Sequence, residues 1–213
     1  MPHLLLVRHG LNDAVGKRLA GRDMSVQLNE EGIRQANLVA DWLVKKKVSV
    51  ILSSPITRAR QTAEPLAALI GLPILERVEL VEVDYGEWAG KTFEELEKTP
   101  AWQEVIRTPN RMQFPHGESI QQIEARLRHF LDDLQTTYAE EEVVVCFSHA
   151  DILAILMALC LGLPLENYPR ITISPASISG LTSSKHGWQI RFVNLIPGEE
   201  FHFPIDLQKD TPK

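Results

Sequence analysis

Cysteine is scarce in this chain: 213 residues contain only Cys146 and Cys160. Both sit among apolar neighbours, VVVCFS and LMALCLGL, as buried structural thiols do. They offer neither a disulfide framework nor a paired metal-ligand spacing. Long apolar runs are missing as well. No stretch approaches the roughly 20 apolar residues of a membrane span, and no basic region precedes a cleavable apolar segment at the N-terminus. A cytoplasmic protein with no membrane partner is the expectation. Basic charge is also in short supply, since 22 Lys and Arg against 28 Asp and Glu give a net charge of -6. A nucleic-acid binder would normally carry the opposite balance on one surface, so nucleic acid is not an expected partner. Any site for an anion must therefore be built locally. The histidines lack an HExxH spacing, and the expectation is an activity that needs no metal and no cofactor. There is no internal repeat and no low-complexity linker, so one domain over residues 1–213 is expected.

What is present is an alternation of strands and helices. The opening MPHLLLVRHG runs four apolar residues, Leu4 to Val7, straight into Arg8, His9 and Gly10. A run without polar alternation suits a strand buried on both faces. LNEEGIRQANLVADWLVKKK follows at helical spacing through Ile33, Ala36, Leu38, Val39, Trp42 and Leu43, with Asn29 as cap. VSVILSS reads as a second strand, and SSPITRARQTAEPLAALIG as a helix with Ser54 at the N-cap and Pro55 first inside. PILERVEL looks extended, and Thr92 with Glu95 forms a capping box in TFEEL.

The stretch GESIQQIEARLRHFLDDLQTTY puts Ile120, Ile123, Leu127, Phe130, Leu131 and Leu134 on one helical face. EEVVVCFSH repeats the opening pattern, with a β-branched run leading to Ser148 and His149 and then into ADILAILMALCLG. RITIS, SISGLTSS and WQIRFVNLI read as strands, the last two joined around Lys185, His186 and Gly187. The order predicts an α/β three-layer sandwich with a largely parallel sheet, in which ligands bind beyond the carboxyl ends of strands. Two strands thus deliver a histidine to one edge.

LLLVRHG, SSPITRARQTA, VEVDYGEWAG and CFSHA, in that order, resemble the histidine phosphatase superfamily, which includes the phosphoglycerate mutases and many phosphomonoesterases. AGRDMSVQLNEEGIRQA and FPHGESIQQIEARL extend the resemblance over nearly the whole chain. It implies a phosphoglycerate mutase-like fold and a covalent mechanism in which His9 becomes phosphohistidine and is then hydrolysed. A neutral imidazole is a competent nucleophile near pH 7 if its other nitrogen keeps a proton on a fixed acceptor, expected to be a carbonyl near Gly10. Arg8 and Arg58 offer guanidinium forks matched to phosphate oxygens. His149 matches the second histidine, and Asn12, Arg22 and the Ala150 amide are further candidates for substrate contact. Arg60 reads better as a solvent-facing or salt-bridged arginine. Ser148 lacks a nucleophile-elbow sequence.

A general acid is also needed, and by spacing alone Glu79, Glu82, Asp84 and Glu87 all qualify. The match to YGEW singles out Glu82. Leu11, Asn12, Ala89, His116 and Ala150 depart from residues frequent in the family, which bears on substrate preference more than on catalysis. The expected function is hydrolysis of a small phosphorylated metabolite; self-association is left open. The alternatives are a cofactor-dependent phosphoglycerate mutase, for which RTPNRMQFPHGES is short although Arg107 and Arg111 could bind a glycerate, and a non-catalytic phosphate-binding module.

Overall fold

The computed structural model describes residues 2–185 and 187–198. Strand β1 (His3–Arg8) sends Leu4 and Leu6 to one face of the sheet and Leu5 and Val7 to the other, and all four are buried. Both faces are covered, which is why the run shows no polar alternation. The remaining strands are β2 (Val50–Ser53), β3 (Ile74–Glu76), β4 (Val143–Ser148), β5 (Ile178–Ser184) and β6 (Gly187–Leu195). They form a six-stranded sheet in the order β3-β2-β4-β1-β5-β6. The first four are mutually parallel, and β5 runs antiparallel to both β1 and β6.

Helices α1 (Glu30–Leu43) and α2 (Thr57–Ile70) pack Val39, Leu43, Ala63 and Leu66 onto the face carrying Leu5, Val7, Ile51 and Phe147. The short helices α3 (Phe93–Glu97) and α4 (Pro100–Arg107) belong to the long β3–β4 connection. On the other face lie α5 (Ile120–Thr137), whose apolar stripe is buried along its whole length, and α6 (Ala150–Leu161). The three-layer α/β sandwich is therefore present. The caps at Asn29 and Thr92 form as well, Asn29 accepting from Gly32 N at 2.9 Å and Thr92 closing a box with Glu95.

Several local expectations change. Ile33 is exposed, and Ala40 fills the core face of α1 in its place. Helix α2 begins at Thr57, because Ser54 N still donates to Phe147 O and extends the ladder beyond β2. PILERVEL gives only the three-residue β3 before a 3₁₀ turn at Val78–Leu80. RITIS is not a strand: the place beside β1 is occupied by β5, and the segment emerges from a Pro169-containing 3₁₀ turn, Leu165–Arg170. Cys146 is fully buried as expected, but Cys160 is only partly so. His186 of the β5–β6 turn lies outside the described residues.

Sheet order then builds the site. Strands β2, β4 and β1 are adjacent and parallel, with Ser53 opposite Phe147 and Arg8 opposite Ser148. The next residues, Ser54, His149 and His9, therefore leave the sheet at one edge. The β1 loop is seated against the first turn of α1, where a Cβ on Gly32 would stand 2.0 Å from Leu11 O. Helix propensity alone would make Gly32→Ala stabilising by about 1 kcal/mol. The contact should reverse the sign, to a loss of about 2 kcal/mol or more, and should lower activity because Leu11 follows directly on His9 and Gly10. Urea unfolding checks this, and an unchanged or raised midpoint contradicts it.

Candidate active site

His9 is buried, and its Nδ1 lies 2.8 Å from Gly10 O. A carbonyl only accepts, so Nδ1 carries the proton and Nε2 keeps its lone pair. Asn12 Nδ2 stands farther from the same Nδ1, at 3.4 Å, while Asn12 Oδ1 accepts from Ala14 N at 3.0 Å. The loop is tied down by Gly10 N donating to Thr62 Oγ1 and Leu11 N donating to Gln35 Oε1.

Arg58 has a relative exposure of 1% and Arg8 is partly buried, yet among the described residues neither guanidinium is paired with a carboxylate. Arg58 Nη2 donates to Gly21 O at 2.8 Å and Nη1 to Asp23 O at 3.4 Å. Arg8 Nη1 donates to Ile173 O at 2.6 Å. Neutral carbonyls fix the orientation of both groups without cancelling their charge. Among the described residues the Nε of each has no hydrogen-bond partner, nor has His149 Nδ1. Buried polar atoms are nearly always satisfied, and each exception costs about 1–3 kcal/mol, so these atoms are available to a polar ligand; Arg8 and Arg58 line one cavity.

His149, wholly buried at the N-cap of α6, has Nε2 2.9 Å from Ser54 Oγ and its ring 5.2 Å from that of His9. Burial, with Arg58 and Arg8 adding positive charge, holds the pKa of both histidines well below the usual value. Both are neutral near pH 7.

Glu82 is buried; its Oε1 accepts from Val83 N at 2.9 Å and its Oε2 lies 3.9 Å from His149 Nδ1. Burial first, and the carboxylate of Asp151 second, push its pKa up to about 7. The other acidic candidates are engaged elsewhere. Glu79 pairs with Arg77 at 3.2 Å, Asp84 caps Gly86 N at 3.0 Å, and Glu87 sits beside His116 on the surface. Only Glu82 among these four borders the cavity of about 430 Å³ that also exposes Arg8, His9, Asn12, Arg58 and Ala150.

Arg22 is not brought into that cavity. Its Nε donates to Glu82 O at 3.0 Å, and its Nη atoms meet Glu118 at 2.9 Å and Asp84 at 3.5 Å. Glu118 also accepts from Asp84 N and Arg126, which straps the segment bearing Glu82 to the start of α5. Arg22 therefore positions the Glu82 backbone. Arg60 pairs with Glu76, and Arg107 and Arg111 are exposed and do not line the cavity. Ser148 is buried and donates to Leu80 O.

Sequence reasoning missed Ser54 as the partner of His149 and missed the pair formed by Tyr85 and Asp151, whose hydroxyl and carboxylate are 2.6 Å apart at the cavity wall. Asp151 stands two residues after His149, in the first turn of a helix, and that acidic position was the available signal. Among the described residues no group of three or more His, Cys, Asp or Glu is arranged to hold a metal ion, and no helix is long and apolar enough to cross a membrane.

Comparison with known proteins identifies the family. The profile of the histidine phosphatase superfamily (branch 1) matches residues 4–196. Phosphoserine phosphatase 1 of Hydrogenobacter thermophilus is 31% identical over 183 residues, 84% of this chain and 85% of that protein. Glucosyl-3-phosphoglycerate phosphatase of Mycobacterium tuberculosis is 30% identical over 177 residues, 79% of each. The structure of mycobacterial glucosyl-3-phosphoglycerate phosphatase complexed with VO3 superposes with a TM-score of 0.81 at 30% identity, covering 91% of this chain and 98% of that one. With the family matched from the first strand to the last and its phosphatases this similar, the chain belongs to the histidine phosphatase superfamily and is a phosphoric monoester hydrolase.

Proposed function

We propose that His9 is the nucleophile and that hydrolysis passes through phosphohistidine on its Nε2. The observation that carries this reading is the His9 ring itself: its Nδ1 proton is held by Gly10 O, and it lines one cavity with Arg8 and Arg58, with the buried His149 ring behind it at 5.2 Å. In the first step Nε2 forms a bond to phosphorus as the ester P–O bond breaks, and Glu82, protonated, delivers its proton to the departing alkoxide. In the second, Glu82 as carboxylate takes a proton from water as the water oxygen attacks phosphorus and Nε2 leaves.

Arg8 and Arg58 neutralise charge on the equatorial oxygens, where a phosphoryl group in transfer concentrates it. Ser54 Oγ–H donates to His149 Nε2 in this scheme, which leaves the proton on Nδ1, the nitrogen without a protein partner, to donate to phosphate. Asn12 and the Ala150 amide complete the set of donors. Arg22 serves through Glu82. We retain with this reading one catalytic domain over residues 1–213, a small phosphorylated metabolite as substrate and a cytoplasmic setting. The mutase alternative is less well supported, because Arg107 and Arg111, its candidate glycerate ligands, are exposed and outside the cavity.

The pKa of Glu82 sets the pH dependence. The acid must be protonated in the free enzyme, so kcat/KM for an alkyl phosphate should fall as pH rises through about 7. His9, held well below its usual pKa, should add no limb near pH 6.5. Glu82→Gln should abolish the basic limb and slow alkyl esters far more than p-nitrophenyl phosphate, whose leaving group needs no proton. A pH profile on both ester types tests this, and equal losses with an intact basic limb would assign the acid elsewhere.

Arg58→Lys keeps a charge but cannot hold both carbonyls and still present a fork. It should lose about a hundredfold in kcat/KM, on the scale of removing one preorganised donor, while retaining its circular dichroism. Near-normal turnover would take Arg58 out of the phosphate site.

A further inference from the structure

Resting on the phosphatase reading above, we propose that this site takes phosphomonoesters of uncharged, apolar alcohols, aromatic ones included, in preference to phosphoesters that carry a carboxylate. Away from His9 the cavity is walled by Phe93, Trp102, Val105, Met112, Phe114 and Ile171. The aromatic side chains lock one another. Tyr85 meets Phe114 edge-on at 4.9 Å, Phe114 meets Trp88 at 5.6 Å, and Trp88 leads through Trp102 at 5.8 Å to Phe93 at 6.0 Å. Such a wall is rigid before ligand arrives and releases water without demanding a partner for polar atoms.

A carboxylate would need a cation here, and the wall supplies none that is free. Among the described residues that line the cavity the cations are Arg8, Arg58 and Arg18. The first two belong to the phosphate end. The third stands at the rim, 3.7 Å from Asp23, and is substantially solvated. Arg22 is held by Glu118 and Asp84, and Arg107 and Arg111 point to solvent outside the cavity. Glu82 and Asp151, which also line the cavity, are acids and offer no positive charge. A carboxylate entering this half would lose hydration with no pairing in return. An aromatic or aliphatic group would gain by leaving water.

The test compares primary alkyl phosphates, so that the demand on the general acid is constant: 2-phenylethyl phosphate, glycerol 3-phosphate, phosphoserine and 3-phosphoglycerate. The phenylethyl ester should exceed both carboxylate esters in kcat/KM by about 30-fold or more, the scale of burying one aromatic side chain. Glycerol phosphate should fall between. Trp102→Ala should cost the phenylethyl ester about tenfold and narrow its lead over glycerol phosphate. Val105→Lys, on the half-exposed face of α4, should raise 3-phosphoglycerate hydrolysis while lowering that of the phenylethyl ester, a gain that a misfolded variant cannot produce.

Phosphoserine or 3-phosphoglycerate turned over as well as the phenylethyl ester would overturn the preference and leave the phosphatase reading standing. Failure to hydrolyse any of the four, or p-nitrophenyl phosphate, would overturn the phosphatase reading and this proposal with it.

Discussion

One hydrogen bond organises the chemistry of this protein: the 2.8 Å contact in which His9 Nδ1–H donates to Gly10 O. It selects one tautomer of a buried imidazole and fixes the ring plane, so that Nε2 is available as a lone-pair donor without a base to activate it. Much of the surrounding structure maintains that contact. Gly10 N is tied to Thr62, Leu11 N to Gln35, and the Leu11 carbonyl lies where only a glycine at position 32 leaves room. The sheet register then sets His149 beside it, because β4 lies between β1 and β2.

The second constraint is electrostatic. A chain with a net charge of -6 buries one arginine completely and another in part, and holds both by main-chain carbonyls. A buried ion pair would have orientated them too, but a carboxylate partner would have spent the positive potential that a phosphate dianion needs. Burial first, and the same potential after it, keep His9 and His149 neutral. Glu82 is under the opposite pressure: loss of hydration and the neighbouring Asp151 outweigh the arginines and keep its proton near neutrality. One small volume thus holds a neutral imidazole, a carboxylic acid that can donate, and two guanidinium groups held by main-chain carbonyls.

Much of this was legible in the sequence, for identifiable reasons. The unbroken apolar runs of β1 and β4, each ending on a histidine, predicted buried parallel strands delivering both rings to one edge. The apolar stripe of α5 and the caps at Asn29 and Thr92 depend only on local spacing and were recovered. Features set by tertiary contact were not. Ser54 has the sequence signature of a helix cap, but its hydroxyl faces His149 because β2 and β4 are adjacent. Arg22 has the look of a substrate ligand, yet Glu118, almost a hundred residues away in sequence, holds it. RITIS alternates like a strand, but β5 takes the neighbouring place. Helix α4 went unread even though Thr99 and Pro100 carry a start signal. The apolar wall could not be foreseen, since its side chains come from separate stretches joined only by folding.

The central claim is that phosphate is carried by Nε2 of His9. The most direct measurement is a rapid quench in base during turnover of a phosphomonoester, followed by proteolysis, mass spectrometry and ³¹P NMR of the modified peptide. A base-stable, acid-labile phosphate on His9, attached at Nε2, that forms and decays within the time of one turnover is expected. Phosphate attached at Nδ1, phosphate on another residue, or steady turnover in a His9→Ala variant would contradict it.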